Sequence, residues 1–492
     1  MSPRLLVCSS LLVLLLAASG ISQTWVPLNN QPNPYLSLGN PLLLTDGTVI
    51  LHSPCTPAWY KLTPDSFGSY VNGTFKRIAN MPAGYGPLWF GSAVLPDGRV
   101  MVEGGEYNFC VPVWTNLGAI YDPLANKWTA VAPPPKWTTI GDAQSVILPD
   151  GTYMQANCCN KQQALLNPKS LAWTITGKGK FDINDEEGWN LLPDGTVLTV
   201  DAYVFQYDPD GKNYEIYNPK THTWTSGPPS GTIVQLWDSY PNAQNATYEV
   251  GPSVLRPDGT VFYTGANTNP SESGNTAIYD TVTHTWTAGP PLPDHTDIAD
   301  GPASLLPNGN VLIQASPSYG APPSKFLEWN GSTLTDVTRG MTDAPNIGSY
   351  LGNMLMLPTG EILYTDFGNV WVYRSKGQPD PAWAPQITSV PSTINKGGSY
   401  TITGYNLNGF SQGAAYGDDV QAATNYPLVR ITNRVTGNVF YARTHDHSTM
   451  AVAYTGQAST TFDVSVKTQT GLSWIQIVTN GIASAPVTVN VK

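Results

Sequence analysis

Apolar residues along this chain fall in short runs that straddle a Pro-Asp-Gly triplet or a near relative of it. The unit recurs seven times, with its glycine at 47, 98, 151, 195, 259, 309 and 360. Each copy, such as Ser92 to Val102, reads as two strands joined by an Asx-Gly turn, the strongest short-range hairpin signal a sequence offers. A second pattern lies downstream, where Tyr121, Tyr217, Tyr279 and the weaker Leu166 each precede a Trp-Thr pair by seven residues, at Trp128, Trp224, Trp286 and Trp173. This predicts a third and a fourth strand around a turn. A period of about 50 residues that supplies four strands indicates a propeller, and the count predicts seven blades.

The seventh unit has too few strands before the linker 377–385. The segment Gln23 to Asn30 resembles the Trp-Thr strands elsewhere and is expected to complete that blade, which would close the ring and hide its edge strands. Beyond the linker the repeat is lost, and residues 386–492 show short alternating strands that predict a β-sandwich of immunoglobulin size. The expected organisation is an export signal at 1–22, a propeller at 23–376, the linker, and an immunoglobulin-like domain at 386–492, all-β throughout.

Composition narrows the function. Gly and Pro, at 46 and 43 of 492 residues, fall short of the level that marks disorder, and 15 Trp with 25 Tyr suit strands. Asp and Glu outnumber Lys and Arg by 35 to 24, without long charge runs, which excludes nucleic acid as a partner. Arg4 followed by the apolar stretch Leu5 to Ala18 reads as a secretory signal, too short to span a bilayer, so no membrane insertion is expected. The expected location is extracellular, or periplasmic in a Gram-negative source. Removal of Cys8 with the signal leaves Cys55, Cys110, Cys158 and Cys159, enough for two disulfides. Three connectivities are open, including one that joins the adjacent pair. Sequons stand at Asn72, Asn245 and Asn330.

The stretch Gly409 to Asp419, with Asn425 to Ile431 and Arg443 to Ser448, resembles the terminal sandwich of glyoxal oxidase-like proteins. With the preceding repeats, the chain resembles the secreted galactose oxidase and glyoxal oxidase family over nearly its whole mature length. The resemblance implies kelch-type blades and a copper-radical site of two Tyr and two His, one Tyr cross-linked to Cys. Tyr350 and His445 match positions of that set. Leu351, Trp89 and Leu38 stand where the second His, the cross-linked Tyr and its Cys would fall, so the set is incomplete and the oxidase chemistry is expected to be lost. The same family sends a long hairpin of the sandwich up the propeller channel, which would carry His445 toward the axis.

Equivalent positions in a propeller ring its axis. The two slots just before the innermost strand hold Ser37 and Leu38, Leu88 and Trp89, Gly141 and Asp142, Asp185 and Glu186, Glu249 and Val250, Ala299 and Asp300, and Tyr350 and Leu351. Five of these fourteen are carboxylates where the chain's composition predicts one. Nearby Glu187, His295 and Asp297 thicken the arc. Clustered carboxylates either cap turns, or pair a protonated acid with an ionised base, or hold a hard cation such as calcium. In the second case Asp142, Glu186, Glu249, Asp300 and Tyr350 form the catalytic cluster, with Trp89 and Trp189 as stacking platforms and His295 and Asp297 as further substrate contacts. His445 and His447, two apart on an expected strand, are the candidate metal imidazoles. His52, His222 and His284 receive no role.

The expected function is therefore a secreted propeller protein that binds or acts on carbohydrate, such as a cell-wall or matrix glycan. The alternatives are a copper oxidase of alcohols or aldehydes with a variant ligand set, and a non-catalytic surface binding protein. No nucleotide fingerprint or serine-hydrolase elbow stands in a suitable setting.

Overall fold

The computed structural model describes residues 23–33, 36–203, 212–228, 230–237, 249–265, 273–317 and 320–492. The expected signal segment and the Asn245 sequon lie outside them. Among the described residues the regular structure is strand, apart from three short 3₁₀ turns.

Each of the seven repeated turns lies in a sheet of its own. Ser92 to Val102 shows how the local sequence achieves this. Strands Gly91–Val94 and Val100–Glu103 pair antiparallel. Leu95 N–H donates to Arg99 O at 2.7 Å and Gly98 N–H donates to Leu95 O at 2.8 Å. Asp97 Oδ1 accepts from Arg99 N–H at 3.0 Å. This is a three-residue loop closed by a glycine bulge rather than a two-residue turn. The seven glycines all have φ between 76° and 87°, a region open to glycine at no steric cost. The glycine of this turn is thus a backbone requirement repeated seven times.

The seven-residue spacing of the second pattern also has a geometric cause. Tyr121 pairs with Trp128, Tyr217 with Trp224, Tyr279 with Trp286 and Leu166 with Trp173, each directly across an antiparallel ladder. Tyr279 and Trp286 ring centroids lie 5.0 Å apart, within the range of favourable aromatic pairs. The turns between them need a positive φ, taken by Asn126, His222 and His284. Tyr121 O–H donates to Asn126 Oδ1 at 3.0 Å, and the Tyr279 hydroxyl lies 2.8 Å from His284 Nδ1. These two histidines therefore have turn-forming work.

Strand Thr24–Pro27 pairs antiparallel with Val370–Arg374, placing Trp25 opposite Tyr373 as the fourth strand of the last repeat's sheet. Apart from one hairpin, the strands from Gln386 onward form one sheet around a separate apolar core that includes Ile402, Val429, Phe462 and Ile475.

One element of this C-terminal region leaves that core. The hairpin Gly413–Ala415 and Gln421–Ala423 pairs with the inner strand Ala303–Leu305, Ala303 lying opposite Ala415. It packs against the inner strands Gly39–Leu43, Gly91–Val94, Ser253–Leu255 and Asn353–Met356 as well. Ala414 and Ala422 share one apolar core with Leu42, Ala93, Ala303 and Met354. Small side chains suit a hairpin that threads between converging strands. At its tip a Cβ on Gly188 would lie 2.3 Å from Gly417 O, so backbone passes backbone here and glycine is required.

Candidate functional site

A cavity of about 290 Å³ opens at the tip of this hairpin, lined by Trp89, Glu106, Tyr107, Asp142, Glu186, Glu249, Asp300, Gly320, Tyr350, Tyr416 and Asp418. The convergence follows from the repeat. Trp89, Asp142, Glu186, Glu249, Asp300 and Tyr350 each stand two to four residues before an inner strand, so separate sheets deliver them to one mouth. The hairpin tip adds Tyr416 and Asp418 from below. Tyr416 O–H donates to Tyr350 O at 2.6 Å, tying the tip to the last repeat.

Local backbone fixes the acids. Gly141 has φ +71°, and a Cβ there would lie 2.8 Å from Cys158 Cβ, so a glycine must precede Asp142. Glu186 has φ +56°, and its carbonyl accepts from Val250 N–H at 3.0 Å, which links two neighbouring repeats. On the rim, strand Tyr107–Asn108 lies between Pro87–Leu88 and Val111–Pro112. Glu106 N–H donates to Trp89 O at 3.0 Å, and Trp89 meets Tyr107 edge-on at 5.5 Å. The disulfide Cys55–Cys110 anchors this rim to the first repeat. Cys158 and Cys159 are bonded to each other.

The carboxylates come close enough to interact strongly. One oxygen each of Asp142, Glu186 and Asp418 lies within 4.8 Å of the other two, and the same holds for Glu186, Glu249 and Asp300. Burial pushes the Asp142, Glu186 and Asp300 carboxyls well above the ordinary range, and the charges of Asp418 on the first and Glu249 on the other two push them further. Glu106 is pushed up to about 7 by burial and then by Asp418, and Asp185 to about 7 for the same two reasons. Burial likewise raises Asp418.

A second acidic cluster lies next door with a different solution. The fully buried Lys180 ammonium sits 2.6 Å from Glu215, 3.1 Å from Glu187 and 3.3 Å from Asp201. Glu187 also accepts from Gln144 Nε2 at 2.9 Å. Its role is to hold this ion network rather than to face the cavity.

Several expected site residues lie elsewhere. Trp189 is 1% exposed and packs on Trp224 at 5.6 Å, so its ring belongs to the core. Its carbonyl meets the hairpin, accepting from Gln421 Nε2 at 3.0 Å. His295 is exposed, outside the cavity walls, and Asp297 is buried in a short strand paired with Val311–Pro317. The inward hairpin is Gly413 to Ala423, not the strand that bears His445. His445 Nε2 lies 3.2 Å from Asp463 and Nδ1 lies 2.8 Å from Asp446, while His447 Nδ1 lies 2.9 Å from Thr460 Oγ1. The strand ends at His445 and Asp446 turns to φ +51°, so the two imidazoles do not share a strand face. Glu106, Tyr107, Tyr416 and Asp418 were not anticipated. The signal for the last two was a Gly-Ala-Ala run set against an Asp-Asp pair.

No family model matches the chain. The Kelch-like protein terF of Aspergillus terreus is 26% identical over 135 residues, 25% of this chain and 26% of that protein, so the match spans about a quarter of its length. Among solved structures, a fungal alcohol oxidase of the AA5 family in complex with copper matches with a TM-score of 0.53 at 13% identity, over 95% of this chain and 98% of that one. A catalytically inactive virginiamycin B lyase from Staphylococcus aureus matches with a TM-score of 0.47 at 9% identity, over 72% of this chain and 99% of that one. The chain has the all-β fold of a galactose oxidase-like kelch propeller protein. Among the described residues no helix is long and apolar enough to cross a membrane.

Proposed function

We propose that this is a secreted galactose oxidase-like kelch propeller that binds or acts on extracellular carbohydrate in its axial cavity. The observation that supports this reading is the composition of the cavity wall, which combines the aromatic rings of Trp89, Tyr107 and Tyr350 with carboxylates. A sugar ring offers an apolar face that stacks on such rings and hydroxyls that donate to carboxylate oxygens. Tyr350 is 39% exposed, so its ring is reachable from solvent. At about 290 Å³ the space is at the small end of ligand pockets and suits one sugar unit or a chain end. The Cys55–Cys110 disulfide fits an oxidising, extracellular compartment.

The copper that the fold family implies does not suit these donors. The described walls offer carboxylate and phenol oxygens with no imidazole or thiolate, a hard set, whereas imidazole nitrogen is the ligand type that suits copper. The reading therefore includes no copper-radical step. Titration calorimetry against a panel of neutral and acidic mono- and oligosaccharides, with product analysis alongside, tests it. Binding by the wild type that weakens at least ten-fold in Trp89→Ala and Asp300→Asn is expected. No binding of any sugar at about 10 mM would overturn the reading.

A further inference from the structure

We propose that Asp142, Glu186, Glu249, Asp300 and Asp418 form a binding site for a hard divalent cation of the calcium class. The oxygens that ligate one calcium lie at most about 4.8 Å apart, twice a bond of roughly 2.4 Å. Each carboxylate trio meets that limit, and the two trios share Glu186, which makes them one contiguous five-carboxylate site.

An independent observation points to a ligand in that place. Asp142 lines the cavity, is only 8% exposed, and its Oδ1 is buried with no hydrogen-bond partner. Asp300 Oδ1 is also without a hydrogen-bond partner, in a side chain that is less deeply buried. Buried acceptors in folded proteins are otherwise almost always paired.

Charge leads to the same conclusion. The neighbouring cluster of Glu187, Asp201 and Glu215 is neutralised from within by Lys180. Among the described residues the cavity walls contain no lysine, arginine or histidine. Nor do residues 204–211, 238–248, 266–272 and 318–319, by sequence. Two acidic clusters thus sit side by side, one supplied with a cation by the chain and one not. A cation that reaches the second must come from solution, and the cavity gives it a route.

Donor type selects the ion. An all-oxygen set of carboxylates suits calcium, magnesium or manganese rather than soft metals. The ligands come from five separate segments, an irregular arrangement that calcium tolerates and magnesium, which demands near-ideal octahedral geometry, does not. The site is complete only when the C-terminal hairpin brings Asp418. None of this depends on what else the cavity binds, so metal binding is measured without sugar.

The experiment is calorimetric titration of the full chelator-treated protein with CaCl₂, followed by competition against Tb³⁺ whose emission is excited through the aromatic residues at the rim. Stoichiometric Ca²⁺ binding with Kd of about 10⁻⁵ to 10⁻³ M is expected, with Mg²⁺ weaker. Asp142→Asn and Asp418→Asn should each weaken Ca²⁺ at least about ten-fold. Where either variant fails to fold, the wild type decides: sensitised Tb³⁺ emission abolished by Ca²⁺ supports the site. Absence of Ca²⁺ binding by the wild type at about 10 mM, or unchanged binding in a folded Asp142→Asn/Asp418→Asn protein, would overturn it. So would stoichiometric Cu²⁺ that Ca²⁺ does not displace.

Discussion

Glu186 and Glu187 are adjacent in sequence and serve opposite clusters. Glu187 turns inward to a lysine ammonium at 3.1 Å, and Glu186, held at φ +56°, turns to the axial cavity. The positive φ of one residue separates a closed ion network from an open acidic site.

Lys180→Met tests the closed side. It removes the cation and leaves Glu187, Asp201 and Glu215 buried together, and breaking a buried ion network by removing one partner costs about 3–5 kcal/mol. Chemical denaturation should show that loss. Glu215→Gln, which keeps Lys180 and two carboxylates, should cost less.

Gly141→Ala combines a forced positive φ of +71° with a Cβ 2.8 Å from Cys158. We expect a loss on the order of 1–3 kcal/mol, read from the thermal midpoint. Because Asp142 is the next residue, whatever binds at the cavity should weaken in the same protein. A variant of full stability and full affinity would show that the close approach to Cys158 does not position the acid.

The disulfide Cys55–Cys110 closes a 55-residue separation, for which loop entropy gives about 4 kcal/mol. Cys55→Ser/Cys110→Ser should lose a comparable amount. Proteolysis should then cut first in the rim hairpin that carries Glu106 and Tyr107, since those strands are only two residues long.

His52 should stay neutral far into the acid range. Burial pushes its imidazole down to about 4, with Nε2 2.8 Å from Thr56 O. The unfolded chain takes up that proton near pH 6.5 and the folded chain does not. Its contribution is thus present above pH 6.5 and lost as pH falls toward 4, on the order of 3 kcal/mol in all. The expected NMR signature is an imidazole resonance that does not move between pH 8 and 5. In His52→Gln, stability should fall less steeply over pH 6.5 to 4.

The fold was legible where the sequence repeats a backbone constraint. Pro-Asp-Gly fixes a bulged loop, and a Tyr seven before a Trp fixes a ladder register, so strands and their order followed. Asp142, Glu186, Glu249, Asp300, Trp89 and Tyr350 converge because equal distance before an inner strand means equal position on the ring. Trp189, three residues after Glu186, fails that rule: at the start of the inner strand a side chain points into the sheet packing. Asp418 and Tyr416 could not be counted this way, since the hairpin lies outside the repeat and reaches the axis through tertiary packing. The histidines failed for a local reason, a single positive φ at Asp446 that ends the strand period.

The threaded hairpin sets an order of events during synthesis. Carboxylates from four repeats have left the ribosome by residue 300, yet their partner Asp418 emerges more than a hundred residues later. Until then the ring surrounds a gap where Ala414 and Ala422 belong. A chain cut short after the ring would thus carry most of the acids and none of the plug, and only a finished polypeptide assembles the pocket.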